Sequence, residues 1–351
     1  MGKKKDLEDI LNKLNKQTLV SILTEYAEKD PRINDELFLR FEKQGDSLGY
    51  ARNIIQSSIN AVERRGFVEY GDVFRAVNGA ETVLEMVIDR LGAGDNLAAI
   101  SLSIVILEEM MDLIEYSDDS SGTIGEVIEM ALEKIGEASD ASQSNPNDSI
   151  QIFDRVFSHA QDKRYDGWTG WRMDLLSALL PLCGDRANRS KMEQYLAKEQ
   201  NILTNDWSSS YERQQLQNLQ HQILLRLDGK AAADSYMELR LDNSDFRDAV
   251  IKEAIADKLY EKALSLCLEG EQENTSYPGL VRKWKELRYA IYEKTKDKQA
   301  QKILGMELLQ SDFNYYSKLK ALYAKKNGRT YSRVFWKNCG TIAVAVFMLK
   351  C

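Results

Sequence analysis

No apolar run in this sequence approaches the roughly 20 residues that a membrane-spanning helix needs. The longest, Thr341 to Leu349, is about half that length, so an integral membrane protein is not expected. Prolines number only four in 351 residues, and no run of alternating β-branched residues reads as a strand. That scarcity, with 29% charged residues and abundant Leu, Ala, Glu and Lys, favours helix almost throughout.

The residues of common chemistry are equally sparse. Cys183, Cys267, Cys339 and Cys351 are scattered with no CxxC pair; in the absence of an export signal they read as reduced cysteines of a cytoplasmic protein. Gly2 is followed by Asp6 where a myristoylation signal requires Ser or Thr, so lipidation is not expected. His159 and His221, the two histidines, are 62 residues apart, and no Cys or His has the close partner that a structural zinc site requires. The phosphate-binding GxxxxGK[ST] and GxGxxG patterns and the nucleophile elbow are missing. No cofactor is expected.

Charge is plentiful but uneven. Net charge is −8, yet from Tyr277 onward 16 Lys or Arg stand against 5 Asp or Glu, leaving a basic module on an acidic body. Two readings stay open: charged helix surfaces that attract each other or neighbouring molecules, or a contact with nucleic acid or an acidic protein.

Helical periodicity runs along most of the chain. Leu7, Ile10, Leu11 and Leu14, then Leu19, Ile22, Leu23 and Tyr26, repeat at i, i+3, i+4, i+7. Asp30-Pro31 ends the second stripe, because the residue before proline leaves the α region. Amphipathic helices are predicted at about 47–65, 72–91 and 95–116, the last carrying Ile100, Ile104, Leu107, Met111 and Ile114. Thr123 and Glu126 have capping-box spacing at the start of a helix over 123–138. The polar stretch 139–148 reads as a linker between an N-terminal helical array (1–138) and a second half (149–326) that begins with helices near 149–162 and 170–182.

In that second half, Glu-Leu-Arg-Leu-Asp-Asn-Ser-Asp-Phe (238–246) is echoed by Glu-Leu-Leu-Gln-Ser-Asp-Phe (307–313), about 67 residues later. This is two helical hairpins of about 34 residues, the tetratricopeptide-like period. The expected fold is all-α, with antiparallel hairpins stacked as a TPR-like α-solenoid, and Gly229, Gly270 and Gly305 read as punctuation, the last as a kink. Residues 327–351 depart from this pattern: the apolar Val334 to Leu349 reads as a tucked strand, a partner-binding segment or an aberrant terminus.

Asp118 and Asp119 sit together in the loop Ser-Asp-Asp-Ser-Ser-Gly (117–122) and are the carboxylate pair best placed for metal or acid–base chemistry. The calcium-loop template fails on them, since with Gly122 at its sixth position the twelfth falls on Ile128 rather than a glutamate; the simpler role is to support the start of the next helix. Trp168 and Trp171, with Tyr165 upstream, either anchor a loop or form a contact surface. On a helical wheel Leu280, Trp284, Leu287 and Ile291 face inward, which leaves Arg282, Lys285 and Tyr289 on an outer face with Glu286. That acid weakens a nucleic-acid reading without removing it.

Several segments resemble the helical region of bacterial proteins that carry a SWIM-type zinc finger and of related stand-alone proteins of unknown function. They are Leu-Thr-Glu-Tyr-Ala-Glu-Lys-Asp-Pro (23–31), Ile-Glu-Tyr-Ser-Asp-Asp-Ser-Ser-Gly (114–122), Tyr-Glu-Lys-Ala-Leu (260–264), Tyr-Pro-Gly-Leu-Val-Arg-Lys-Trp (277–284) and Tyr-Tyr-Ser-Lys-Leu-Lys-Ala-Leu-Tyr (315–323). The resemblance implies a helical-repeat fold in a bacterial cytoplasm and brings no activity. The CxC…CxH finger is absent, so zinc and finger-borne DNA binding are not carried over. The sequence therefore reads as a non-enzymatic scaffold for a protein partner. The alternative is a nucleic-acid-associated accessory protein acting through 277–337, with a metal or hydrolytic enzyme built on Asp118 and Asp119 behind both.

Overall fold

In the computed structural model the described residues are 2–41, 47–204 and 207–323. They are helical nearly throughout and contain no strand, although isolated bridges join Arg64 to Phe67 and Val68 to Ser117. The apolar segment 327–351 lies outside the described residues. Contacts divide the chain into two units, Met1–Ile223 and Leu224–Cys351.

The first unit opens with α1 (Gly2–Leu11), α2 (Lys16–Lys29) and α3 (Pro31–Phe41). The Asn15 side chain accepts the Thr18 N–H at 2.9 Å to start α2. Asp30, extended at φ −130° and ψ 103°, ends it ahead of Pro31, as expected for a residue that precedes proline. Helix α4 (Ser47–Asn60) is shorter than periodicity predicts, because the chain reverses through left-handed Arg65 and Gly66. The predicted 72–91 helix is split into a 3₁₀ turn (Tyr70–Asp72), α5 (Val73–Ala76) and α6 (Asn78–Gly92), with buried Val77 at the joint.

Helix α7 (Asn96–Ile114) is the centre of this unit. Asp95 caps it through the Ala98 N–H. Its buried residues lie on nearly every face, from Ala99 and Ile100 through Val105, Ile106 and Met110 to Leu113. Around it pack α4, α6, α8 (Thr123–Ala141) and α9 (Pro146–Ala160), and a helix apolar all round is one wrapped by neighbours. The polar stretch 139–148 is the end of α8, a turn closed by the Ser142 N–H to the Ala138 carbonyl, and the start of α9, where Asn145 caps and Pro146 leads. A 3₁₀ turn (Lys163–Tyr165), α10 (Thr169–Ala178), a 3₁₀ turn (Leu180–Gly184), α11 (Arg186–Ile202) and α12 (Trp207–Leu227) follow.

In the second unit three helix pairs succeed one another: α13 (Lys230–Glu238) with α14 (Ser244–Ala256), α15 (Tyr260–Glu273) with α16 (Pro278–Thr295), and α17 (Lys298–Leu308) with α18 (Asn314–Tyr323). Each helix packs on the next in sequence, and α14 also touches α16. The echoed words of the sequence start the last helix of the first and third pairs: Asn243 accepts the N–H groups of Asp245 and Phe246, and Asp312 accepts that of Asn314.

Gly270 and Gly305 are not breaks, since both lie inside helices where a neighbour comes too close for a side chain. A Cβ on Gly270 would stand 2.9 Å from Trp284 Cδ1 and from the Arg247 Cδ, and one on Gly305 2.9 Å from Leu319 Cδ2. Arg247, 2% exposed, spans the gap beneath Gly270 by donating to the carbonyls of Leu241 and Leu266 and to Glu273. A buried guanidinium is tolerable because it is paired and hydrogen-bonded on several sides.

Candidate interaction surfaces

In the first unit the two aspartates do different jobs. Gly122 precedes α8 with φ +77° and no capping side chain, and Asp119 reaches over it so that its Oδ1 accepts the Ile124 N–H at 3.0 Å and its Oδ2 the Gly125 N–H at 3.2 Å. The carboxylate satisfies two free donors at the positive end of the helix dipole. Thr123 is the first helical residue rather than a cap, so the capping-box spacing with Glu126 is replaced by Asp119. Asp118 accepts the backbone N–H and hydroxyl of Ser120, while its own N–H is held by the Val68 carbonyl at 3.0 Å. No group of three or more His, Cys, Asp or Glu among the described residues is arranged to hold a metal ion.

The tryptophans join the same loop. Trp168 and Trp171 stack with ring centroids 4.6 Å apart and planes at 18°, and the Trp168 indole N–H donates to Glu115 at 3.2 Å. Trp171 lies over Gly125: a Cβ there would be 3.9 Å both from its Cζ2 and from the Asp119 carboxylate. Asp119 and Trp171, 52 positions apart in the sequence, thus meet at the N-terminus of α8. Tyr165 is fully buried and its hydroxyl is 2.9 Å from the His159 Nε2. Burial holds the His159 imidazole below its ordinary pKa and pushes the Tyr165 phenol up. Arg172 ties the loop by donating to the carbonyls of Ala160 and Asp162 and to the Asp166 carboxylate. Both tryptophans remain half-buried.

In the second unit, Arg282 and Lys285 line one groove between α16 and α17, of about 530 Å³, with Pro278, Val281, Glu307 and Leu308. Arg282 donates to Glu286 at 2.8 Å and approaches Asp312 at 3.5 Å, and Lys285 pairs with Glu307 at 2.8 Å. Tyr289 requires a correction: it is 1% exposed rather than on an outer face. Helix α16 has two buried sides. Trp284 and Ile291 face the core shared with α14 and α15, whereas Tyr289 faces Leu304, Leu308, Tyr315 and Leu319 of α17 and α18, edge-on to Tyr315 with centroids at 5.0 Å.

Of the ten cations described from Tyr277 onward, Arg282, Lys285 and three more are answered by acids. Lys283 pairs with Asp248, Arg288 with Glu271 and Lys318 with Glu293; six of the sixteen cations from Tyr277 onward follow Tyr323, outside the described residues. The sequence reading missed a second cleft, of about 860 Å³, where the start of α15 meets the end of α16; Lys258, Leu259, Tyr260, Leu264, Tyr292 and Asp297 line it. The signal for it was the pair of tyrosines on adjacent predicted helices, with Leu259 half exposed at 53% beside them.

These features define a protein that is all-helical in its described residues, with the sequence-flagged residues grouped at one place in each unit and all but the buried Tyr289 at least partly exposed. The chain belongs to the family of unknown function DUF6880, whose profile matches residues 3–321. That match carries no link to SWIM-type zinc-finger proteins. No curated protein and no solved structure matches the chain. No described helix is long and apolar enough to cross a membrane.

Proposed function

We propose that this chain is a non-enzymatic, TPR-like helical-repeat scaffold that binds a protein partner through the second unit. The observation that carries the reading is the α16–α17 groove, which sets an apolar floor (Val281, Leu308) beside the cations Arg282 and Lys285. Stacked hairpins generally serve as extended binding surfaces, and an apolar groove with flanking charge suits a short peptide or helix. The repeat reading draws support from spacing: Gly270 and Gly305 are 35 residues apart, as are Trp284 and Leu319 that press on them.

A protein is favoured over nucleic acid because Glu286, Glu307 and Asp312 answer the two cations of the groove. Phosphate binding draws its affinity from cations whose counterions are released, and cations already paired with carboxylates offer less of it. The non-enzymatic reading draws support from the committed roles of the reactive groups: Asp119 caps a helix, His159 bonds Tyr165, and Cys267 is buried. A nucleic-acid contact through 277–337 stands second, supported by the five cations between Tyr323 and the end of that segment.

A photo-crosslinking amino acid placed at Val281 tests the assignment in the native host, with the same probe at exposed Lys252 on α14 as control. The expected result is a discrete protein adduct at 281 and none at 252. No adduct at 281, or adducts only to nucleic acid, would overturn it.

A further inference from the structure

The stacked indoles of Trp168 and Trp171 are only half-buried, and the seam that runs from them between α8 and α10 carries one sign of charge. Trp171 lies over Gly125 of α8. One turn further along each helix, at i+3 from Trp171 and i+4 from Gly125, stand Asp174 on α10 and Glu129 on α8, positions that share a face with the first two. The two carboxylates are close enough that Glu129, after burial, raises the pKa of Asp174. Glu129 also belongs to a row: Glu126, Glu129 and Glu133 recur at i, i+3, i+7 on α8 and all three are exposed.

These charges identify what covers the indoles. None of the four acids has an ion-pair partner among the described residues. The cations of the two helices are committed elsewhere: Lys134 pairs with Glu137 at 2.6 Å, and Arg172 pairs with Asp166 at 2.7 Å while donating to two backbone carbonyls. The acids are strung along the seam and form no group arranged to hold a metal ion, so the complement is a row of cations. A guanidinium against an indole adds a cation–π attraction to the ion pair, and the Trp168 ring is held for it by the bond from its N–H to Glu115 at 3.2 Å. Alternate residues of an extended chain are about 7 Å apart, close to the rise of about 6 Å from Glu129 to Glu133. We propose that the α8–α10 seam is a docking site for an arginine-rich segment of a partner protein, with one guanidinium against the Trp168–Trp171 pair and the next ones on Asp174, Glu129 and Glu133. This goes beyond the groove of the second unit and stands or falls without it.

The test is a titration of the full chain, with isotope-labelled tryptophan, by the peptide Arg-Ser-Arg-Ser-Arg and by Glu-Ser-Glu-Ser-Glu as control, each indole N–H being read by NMR. The Trp168 and Trp171 signals move together with the arginine peptide, the fully buried Trp284 stays still, and the glutamate peptide moves none of them. The double variant Glu129→Gln/Asp174→Asn replaces exposed side chains, so the fold is retained, as circular dichroism checks. Its dissociation constant for the arginine peptide rises by about two- to thirty-fold, the range for the loss of two exposed ion pairs. No response of the two indoles at about 5 mM arginine peptide, a response unchanged in the double variant, or a tighter response to an oligouridine than to the peptide would each overturn the proposal.

Discussion

Gly270 of α15 lies directly against the indole of Trp284 on α16, so close that a Cβ would be 2.9 Å from both Cδ1 and Nε1. The indole has nowhere to go: it is fully buried and its N–H is held by the Asn274 side chain at 2.8 Å. Gly270→Ala therefore gains the helix propensity of alanine, about 1 kcal/mol, but overpacks a rigid core at about 1–3 kcal/mol. Urea unfolding is expected to show a net loss for Gly270→Ala, a smaller one for Gly305→Ala, where a leucine terminus yields, and a gain for Gly136→Ala, which meets nothing within 4 Å. Equal effects at all three positions would contradict the close approach.

Asp119 is expected to be worth about 0.5–2 kcal/mol as a remote cap of α8. Asp119→Ala leaves the Ile124 and Gly125 donors without the carboxylate, so it lowers the urea midpoint, and Asp119→Asn recovers part by keeping an acceptor. Asp118→Ala, which loses only bonds within a turn, should change stability by no more than about 0.5 kcal/mol. If the two alanine variants were equally stable, the cap would have no energetic weight.

His159 predicts a pH dependence whose sign follows from burial. Its folded pKa lies below the ordinary 6.5, so below 6.5 the unfolded chain takes up a proton that the buried imidazole refuses. The stability it contributes is complete above 6.5 and is lost as pH falls below it. The urea midpoint of the wild type should drop more between pH 7.5 and 5.5 than that of His159→Gln, since the other titrating groups are common to both chains. Parallel profiles would show that His159 is not the group responsible.

Cys267 has its thiol pushed up to about 12, chiefly by burial, with Glu271 nearby adding to it. Alkylation depends on thiolate, so Cys267 and buried Cys183 should stay unlabelled by iodoacetamide at pH 8 in the folded chain and react in concentrated urea. Peptide mapping by mass spectrometry reads each site separately; rapid labelling of Cys267 in the folded chain would contradict the assigned packing.

Periodicity located most helices because a single buried stripe leaves a clear i, i+3, i+4 signature, as at α8. It failed where a helix is covered on more than one side. The wheel of α16 gave Trp284 and Ile291 to the core and Tyr289 to solvent, but α17 and α18 return against the second side and cover the tyrosine, a tertiary fact that no local pattern encodes. Glycine was misread for a related reason: Gly270 looked like punctuation, and only the approach of Trp284 and Arg247 reveals why a side chain is missing there. At α8 the loop aspartates were expected to support the helix start, and Asp119 does so; the Thr123–Glu126 box is unused because Gly122, left-handed, lets Asp119 reach back over the helix end. Arg282 and Lys285 were placed on the surface correctly, yet their acid partners Glu307 and Asp312 come from a helix end and a loop that sequence spacing could not bring to them.

The central claim is that the second unit binds a protein through the groove of Arg282 and Lys285, and affinity capture from the native host tests it most directly. Tagged wild type and the Arg282→Glu/Lys285→Glu variant are compared by mass spectrometry, each with and without nuclease. A discrete protein retained by the wild type after nuclease treatment and lost by the variant is the predicted result. Partners that vanish with nuclease, or that the variant retains unchanged, would contradict it.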